Sequence, residues 1–134
     1  MYTNSSGSGG KFNVTANSDT GAITLNTLSA PPNSTVNVAV EGVIEPIDVG
    51  LHHTFEGGFN LSTFYFANAT VVEVSAGAED PEGKGRGRKI EYATRSEGLT
   101  VGNAWWDDGT GADGGKERGT VTLVNTLADI TLRV

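Results

Sequence analysis

Two adjacent tryptophans and the two carboxylates that follow them are the residues best suited to binding a ligand. Trp105 and Trp106 lie on one predicted strand, and Asp107 and Asp108 come directly after them. Because neighbouring side chains of a strand point to opposite faces, one indole is expected in the core and the other at the surface or against a second layer. A surface indole can stack on a sugar ring while carboxylates accept hydrogen bonds from its hydroxyl groups. The pattern predicts a candidate glycan-stacking site; the alternative is burial of both rings between layers.

The acidic segment after the tryptophans also carries ligands of the kind that a hard cation prefers. Asp107, Asp108 and Asp113 lie among glycine-rich turns whose carbonyl groups can complete a coordination shell. The segment lacks the alternating acids and the closing glutamate of an EF-hand loop, so an acidic hairpin loop is the alternative interpretation.

Two neighbouring histidines, His52 and His53, lie near Asp48 and Glu56 and form a second group with metal-ligating side chains. On a strand their imidazoles point to opposite faces, so they do not readily reach one ion. We interpret them as surface or turn histidines, and the sequence predicts no metal and no other cofactor.

Candidate catalytic groups do not form a recognisable arrangement. Paired carboxylates for glycoside hydrolysis would have to come from Glu56, Glu73, Glu91 or the acidic segment, and the spacing singles out no pair. Neither a nucleophile elbow nor a zinc-binding helix motif is present. The sequence therefore favours a protein that is not an enzyme.

The charge balance argues against nucleic acid as a partner. Sixteen acidic and nine basic side chains give a net charge of −7, which repels phosphate backbones. One glycine-spaced basic segment, with Lys84, Arg86, Arg88 and Lys89, resembles RNA-binding Arg-Gly repeats, but the acids just before it, Glu79, Asp80 and Glu82, cancel most of its charge. Apolar runs are far shorter than the roughly 20 residues that span a bilayer, so no membrane span is predicted in this chain.

Five N-glycosylation sequons indicate an extracellular compartment. Asn-x-Ser/Thr triplets begin at Asn4, Asn13, Asn33, Asn60 and Asn68. About two would be expected by chance from ten asparagines in a chain with 25 serines and threonines. The excess predicts a secreted glycoprotein with glycans on its N-terminal half; the alternative is that a Thr/Ser-rich β protein contains such triplets without using them.

Composition predicts an all-β fold. Val, Ile and Thr make up 34 of the 134 residues and glutamine is absent, while 19 glycines provide many turns. Side chains branched at Cβ are stiff and fit a pleated surface, so strands are favoured over helices. Residues 1–10 are predicted to be a flexible Gly/Ser leader, and residues 11–134 a single β domain. The chain has no cysteine, so no disulfide can stabilise it.

Period-2 alternation marks the predicted strands, and several of them resemble one another. The clearest places Val36, Val38 and Val40 on one face. Around Phe64 apolar side chains occur on both faces, which predicts a strand covered on both sides at its end. Similar segments begin at Gly21, Gly58, Gly98 and Gly119, each a glycine turn, an alternating strand and a polar corner. Such units favour a β-solenoid-like stack, with a β-sandwich as the alternative.

Two segments resemble motifs of a known protein family. Residues 51–63 (LHHTFEGGFNLST) are similar to a "LHPTFEGxFxLST" segment, with His53 where a proline is usual, and residues 79–88 resemble a Glu-Asp-Pro-x-Gly-x-Gly-Arg loop. The family is a group of fungal, mainly basidiomycete, surface ectodomains of unknown function, related to adhesin-type β-solenoid domains of bacteria.

Further along the chain, residues 125–132 (NTLADITL) resemble the corner that precedes a strand in this family, with Asp129 replacing a proline. The closing strands are also similar, so that the resemblance covers about 120 residues. It implies a secreted or membrane-anchored surface protein without established catalytic residues.

Taken with the resemblance, the sequence predicts a non-enzymatic extracellular β domain with a structural or adhesive role at the cell surface or wall. One alternative is a filament subunit, in which a lone strand at residues 11–16 pairs with the open edge of a neighbouring subunit. Another is a carbohydrate-binding module that uses Trp105 or Trp106. The expected partners are copies of the chain itself or glycans of the cell wall or surface.

Overall fold

Ten β-strands make up the regular structure of the described chain. The computed structural model describes residues 10–26, 34–52, 54–64, 67–73, 79, 83, 85–96, 98–107 and 119–134, with the backbone alone for residues 10–12 and 34. The strands are β1 (Gly10–Ser18), β2 (Ile23–Asn26), β3 (Ser34–Gly42), β4 (Ile47–Gly50), β5 (Gly57–Thr63), β6 (Ala69–Val72), β7 (Gly87–Ser96), β8 (Leu99–Asp107), β9 (Gly119–Asn125) and β10 (Ile130–Arg133). The predicted all-β class is confirmed.

The strands form two sheets in which parallel pairing predominates. The six-stranded sheet has the order β1-β3-β9-β5-β8-β7, and the four-stranded sheet has the order β2-β4-β10-β6. The first four strands of the larger sheet and all strands of the smaller one run parallel to their neighbours, whereas β8 and β7 are antiparallel.

The parallel part is a stack of four β-arches, each a strand of the larger sheet, a corner and a strand of the smaller sheet. In order along the stack, the arches are β1–β2, β3–β4, β9–β10 and β5–β6. This order differs from that of a simple solenoid, in which consecutive units are neighbours, because the last arch of the chain inserts between the second and the third. The finer prediction of a solenoid-like stack is therefore not confirmed.

In-register pairing stacks equivalent apolar side chains into ladders. In the smaller sheet Ile23 pairs with Ile47, which pairs with Ile130. In the larger sheet Val38 pairs with Val121. These side chains are buried between the sheets, so each arch covers the apolar face of the next and the burial of apolar surface stabilises the stack.

The corners extend the backbone ladder around the bend. The N–H of Ile23 donates to the Pro46 carbonyl at 3.1 Å, and that of Ile47 donates to the Asp129 carbonyl at 3.0 Å. The N–H of Ile130 continues the series to the Asn68 carbonyl at 2.9 Å. Corner backbone groups that face the interior are thus paired with the next arch, as buried polar groups require.

A buried asparagine fastens the corner of the β9–β10 arch. Asn125 is fully buried, and its Nδ2 donates to the Glu45 carbonyl of the neighbouring corner at 2.9 Å and to the Asp129 carbonyl of its own corner at 3.4 Å. In the next arch Thr63 Oγ1 donates to the Ala67 carbonyl of its own corner at 2.9 Å. The polar corner residue suggested by the sequence therefore donates hydrogen bonds to backbone carbonyl groups of the corners.

The hairpin of β7 and β8 covers the far end of the stack. The Tyr92 ring packs edge-on against Phe59 with centroids 5.9 Å apart, and its hydroxyl donates to Glu73 Oε1 at 3.1 Å. Gly102 makes this approach possible, because a Cβ there would lie 2.3 Å from the Glu91 carbonyl oxygen and 2.7 Å from the Phe59 ring. A register irregularity between Tyr92 and Thr94 bends β7 at the outer edge.

Three expectations about strand surroundings need correction. Phe64 is 51% exposed just after β5 ends, so the strand end is not covered on both sides. The strand at residues 11–16 is not a lone strand, because β1 pairs with β3 of the same chain along its whole length. The similar segments at Gly21 and Gly119 are not equivalent, since β2 and β9 lie in different sheets. A period-2 pattern is the same in either sheet and therefore cannot distinguish them.

The buried corner asparagine leads to a stability prediction. We expect Asn125→Ala to lower the free energy of unfolding by about 1–3 kcal/mol, because the Glu45 carbonyl loses its donor. Asn60→Ala, at an exposed position of the neighbouring strand, is the matched control and should change it by less than about 0.5 kcal/mol. Urea denaturation measures both, and equal midpoints for the two variants would contradict the role assigned to Asn125.

Candidate functional site

The face of the six-stranded sheet that points away from the core is the candidate site, here called the outer face. Because side chains alternate along each strand, this face carries the residues between the buried ones. From β1 to β8 it includes Asn13, Thr15, Asn37, Ala39, Thr120, Thr122, Asn60, Asn103, Trp105 and Asp107. The centre of the face is therefore an array of neutral amide and hydroxyl groups, each of which can donate and accept hydrogen bonds.

In-register pairing arranges these polar side chains in rows across the sheet. One row runs from Asn13 through Asn37 and Thr120 to Gly58 and Asn103. Strands lie about 4.8 Å apart, and alternate residues of one strand lie about 6.6 Å apart. The outer face is thus a regular polar lattice rather than a scattered set of surface residues.

A shallow depression marks the part of the outer face above Ala39. Its volume is about 380 Å³, and the polar side chains around it come from β1, β3 and β9. Asn37 Nδ2 donates to Asn13 Oδ1 at 3.1 Å on one side of it. The depression exists because the small side chain of Ala39 lies between Thr15 and Thr122, its register partners on either side.

The two tryptophans lie on opposite faces, which confirms the expectation from strand alternation. Trp106 is 2% exposed and points into the interior, whereas Trp105 is only partly buried on the outer face. Asn103 and Asp107 flank Trp105 along β8, and Lys89 lies opposite it on β7. Trp105 thus combines an indole with an amide and a carboxylate on one face, while Asp108 and Asp113 lie outside the described residues.

A buried polar cluster beneath the outer face holds Trp106 and this end of β8 in place. Glu56 is 3% exposed, and its Oε2 accepts a hydrogen bond from the Trp106 backbone N–H at 3.1 Å. Arg88 Nη1 donates to the Phe55 carbonyl at 2.6 Å, and its guanidinium lies 5.3 Å from the centroid of the Trp106 ring. These contacts join the start of β5 to both strands of the hairpin, so they fix the strand that presents Trp105.

Burial and charge act in opposite directions on Arg88. Burial lowers the pKa of the Arg88 guanidinium to about 10, and the negative charge of Glu56 opposes that shift. The guanidinium is therefore still charged at neutral pH, and the neighbouring carboxylate compensates part of the cost of its burial.

The sequons that fall on described residues all have exposed asparagines. Asn13 and Asn60 lie on the outer face, and Asn68 lies in the corner before β6. In the first two, the Thr or Ser two residues later is on the same face as the asparagine because both belong to one strand. Asn4 and Asn33 lie outside the described residues.

The side chains weighed as metal ligands are engaged elsewhere. His52 Nδ1 lies 2.9 Å from Thr54 Oγ1, and Asp48 forms an ion pair with Arg133. Glu56 is turned towards the Trp106 backbone. Within the described part of the chain no three His, Cys, Asp or Glu side chains come together as a metal site. His53 lies outside that part.

Among the described residues, three carboxylates considered for glycoside hydrolysis, those of Glu56, Glu73 and Glu91, lie in different surroundings. Glu56 is buried on the inner side of the larger sheet, whereas Glu91 is exposed on β7 opposite Asn103 of the outer face. Glu73 accepts the Tyr92 hydroxyl near the end of the stack. Glu56 and Glu91 therefore lie on opposite sides of one sheet and do not flank a common bond.

The basic segment divides between interior and surface. Arg88 turns inward over Trp106, while Lys89 is exposed on the other face of β7, opposite Trp105. Alternation along the strand thus prevents these two residues from forming one basic patch. Lys84 lies outside the described residues.

Comparison with known protein families, curated proteins and solved structures finds no match to the chain. The resemblance to fungal surface ectodomains accordingly stays a prediction. In the residues that the structure describes, no helix has the length and apolar character needed to cross a membrane.

Sequence reasoning missed the electrostatic interaction of Glu56 with Arg88 and the hydrogen bond from Asn37 to Asn13. Glu56 and Arg88 are separated by 31 residues, and nothing in the period-2 pattern shows that both turn inward. The alternation within β7 could have shown that Arg88 turns inward. Arg88 lies on the same face of the strand as Ile90 and Tyr92, which pack against the core.

The buried cluster predicts a coupled effect on stability. Glu56→Gln keeps an acceptor for the Trp106 N–H but removes the charge that compensates Arg88, and Arg88→Met removes the cation. Each single change should lower the free energy of unfolding by about 1–3 kcal/mol. The loss of free energy of unfolding in the double variant should be smaller than the sum of the two single losses by at least about 1 kcal/mol. The reason is that neither charge is then left without the other. Urea denaturation, monitored by tryptophan fluorescence, measures the free energies of this double-mutant cycle. Strictly additive changes would contradict the coupling between Glu56 and Arg88.

Proposed function

We propose that this chain is a non-enzymatic, glycosylated β domain with a structural or adhesive role outside the cell. The observation that carries the proposal is the outer face, whose centre is a neutral array of amides and hydroxyls, with two sequon asparagines exposed on this face. Two side chains that could do acid-base chemistry, Glu56 and Arg88, instead make structural contacts with Trp106.

The regular arrangement of polar groups on the outer face favours a role in binding a partner. Neutral groups that both donate and accept can match the hydroxyl groups of sugars without the desolvation cost of burying a charge. The charged side chains on described positions of this face, Glu41, Lys89, Glu91 and Asp107, lie at its margins. The resemblance to fungal surface ectodomains points in the same direction.

Occupancy of the sequons tests the proposed compartment. Glycopeptide mass spectrometry of protein from its natural source should find N-glycans on Asn13, Asn60 and Asn68, since all three are exposed. In a secreting host, Ser62→Ala should remove the glycan of Asn60 alone, because the sequon hydroxyl is lost while the other sites are unchanged. Unmodified asparagines at all three positions of the natural protein would overturn the proposal.

A second candidate function is carbohydrate binding at the Trp105 end of the outer face. It is favoured by the position of Trp105, which is partly buried and flanked by Asn103 and Asp107 on the same face. An indole held in place in this way presents a fixed surface for stacking at small cost in side-chain entropy. Glycans on Asn13 and Asn60 would also lie on the outer face, but on β1 and β5 rather than on β8.

Binding measurements on protein without glycans test this second function. Trp105→Ala should weaken binding to the preferred glycan of an array about tenfold, equivalent to ~1.4 kcal/mol. Phe64→Ala is the matched control, because Phe64 is an exposed aromatic outside the outer face. Equal binding by both variants, or an unaltered chain that binds neither array glycans nor insoluble cell-wall polysaccharides, would exclude it.

A further inference from the structure

The β1–β2 arch forms an open end of the stack. Among the described strands, β1 pairs only with β3, and β2 pairs only with β4. Both strands of this arch therefore present one unpaired backbone edge, and the two edges lie at the same end of the molecule. The edge of β1 is nine residues and about 30 Å long, which is long for an unprotected edge strand.

The apolar core extends to this open end. Val14, Ala16 and Leu25 pack against the core but are only partly buried. Their register partners in the next arch are almost completely covered, with Val38 5%, Val40 1% and Val49 1% exposed. The difference arises because the end arch has a neighbour on one side only. A stack of this kind needs a cap or a partner at each end.

The opposite end has such a cap. The antiparallel hairpin covers it, with Tyr92 against Phe59 and with Thr100 Oγ1 donating to the Ala69 carbonyl at 3.3 Å. The outermost strand, β7, carries a bulge after Tyr92 and charged side chains on Lys89, Glu91 and Arg95. Bulges and charges are the usual means of preventing edge-to-edge pairing. Along β1 the register with β3 is unbroken, and Lys11 near its start is its one charged residue.

Charge also favours the open end as the place where two copies can meet. Residues 10–26 contain one lysine and one aspartate and are therefore neutral, although the whole chain carries −7. The β1–β2 ends of two copies therefore meet without net repulsion.

We infer that a second copy of this chain covers the open end, with β1 of one copy paired antiparallel to β1 of the other about a two-fold axis. The symmetry makes the contact self-complementary, so no second matching surface is required. An open filament through the larger sheet would need the β7 edge to accept β1, and the bulge and charges of β7 oppose this. The interface is thus closed and stops at a dimer.

The oligomeric state of the full chain tests the inference. Sedimentation equilibrium should show a dimer, and Thr15→Lys should raise its dissociation constant at least tenfold, because the two-fold axis brings the added charges close together. Thr94→Lys is the matched control, since Thr94 is an exposed threonine on the edge strand of the capped end. It should leave the dimer unchanged. If Thr94→Lys weakens association as much as Thr15→Lys does, the contact is head-to-tail and the inference is wrong.

The absence of cysteine allows an independent test of the geometry. Single cysteines at Asn13, Thr15 and Asn17 lie along the exposed side of β1, and the position nearest the two-fold axis should form an intermolecular disulfide on mild oxidation. Thr94→Cys should not. A chain that stays monomeric at high micromolar concentration, or one that cross-links at none of the three β1 positions, would overturn the inference.

Discussion

The structure depends on in-register parallel pairing of its arches. Three of the four corners separate equivalent positions by five residues, from Ser18 to Ile23, Gly42 to Ile47 and Asn125 to Ile130. A slip of one residue in any arch would turn its apolar side chains outward and its polar ones inward, in both sheets at once. The length of the corners, the buried apolar ladders and the polar outer face therefore all depend on the same register. The fourth corner is one residue longer, and the bond from Thr63 to the Ala67 carbonyl closes it.

The same register produces the candidate site. Since apolar positions stack on apolar positions inside, amide and hydroxyl positions stack on each other outside, so a lattice of Asn and Thr arises wherever the arches are in register. The aromatic group of the candidate site does not come from the parallel arches. It is Trp105, which lies on β8 of the antiparallel hairpin. Glu56 and Arg88 connect that hairpin to the parallel stack through the Trp106 backbone and ring. The buried charges of Glu56 and Arg88 thus help to join the parallel and the antiparallel strands in one sheet.

Local patterns predicted much of this fold but not its long-range order. Alternation identified the buried set Val36, Val38 and Val40, and strand geometry predicted that the two tryptophans face opposite ways. The order of the arches was not predictable, because β9–β10 stacks between units that precede it in the chain, and alternation carries no information on which strands are neighbours. Exposure at Phe64 was missed for a related reason: apolar type alone does not show where a strand ends and a corner begins. The Asn13–Asn37 contact likewise requires the register of β1 on β3.

A stack of arches has two ends, and this chain treats them differently. One end receives an antiparallel hairpin whose edge is bulged and charged, while the other has an edge in regular register, with one lysine and partly buried core residues. If the β1–β2 ends of two copies pair about a two-fold axis, the six-stranded sheets continue into one another and the two outer faces become one surface. A polymer or a cell surface would then meet two equivalent faces at a fixed separation, and weak contacts of each face would add. In this way the proposed dimer contact and the proposed binding by the outer face would serve one function.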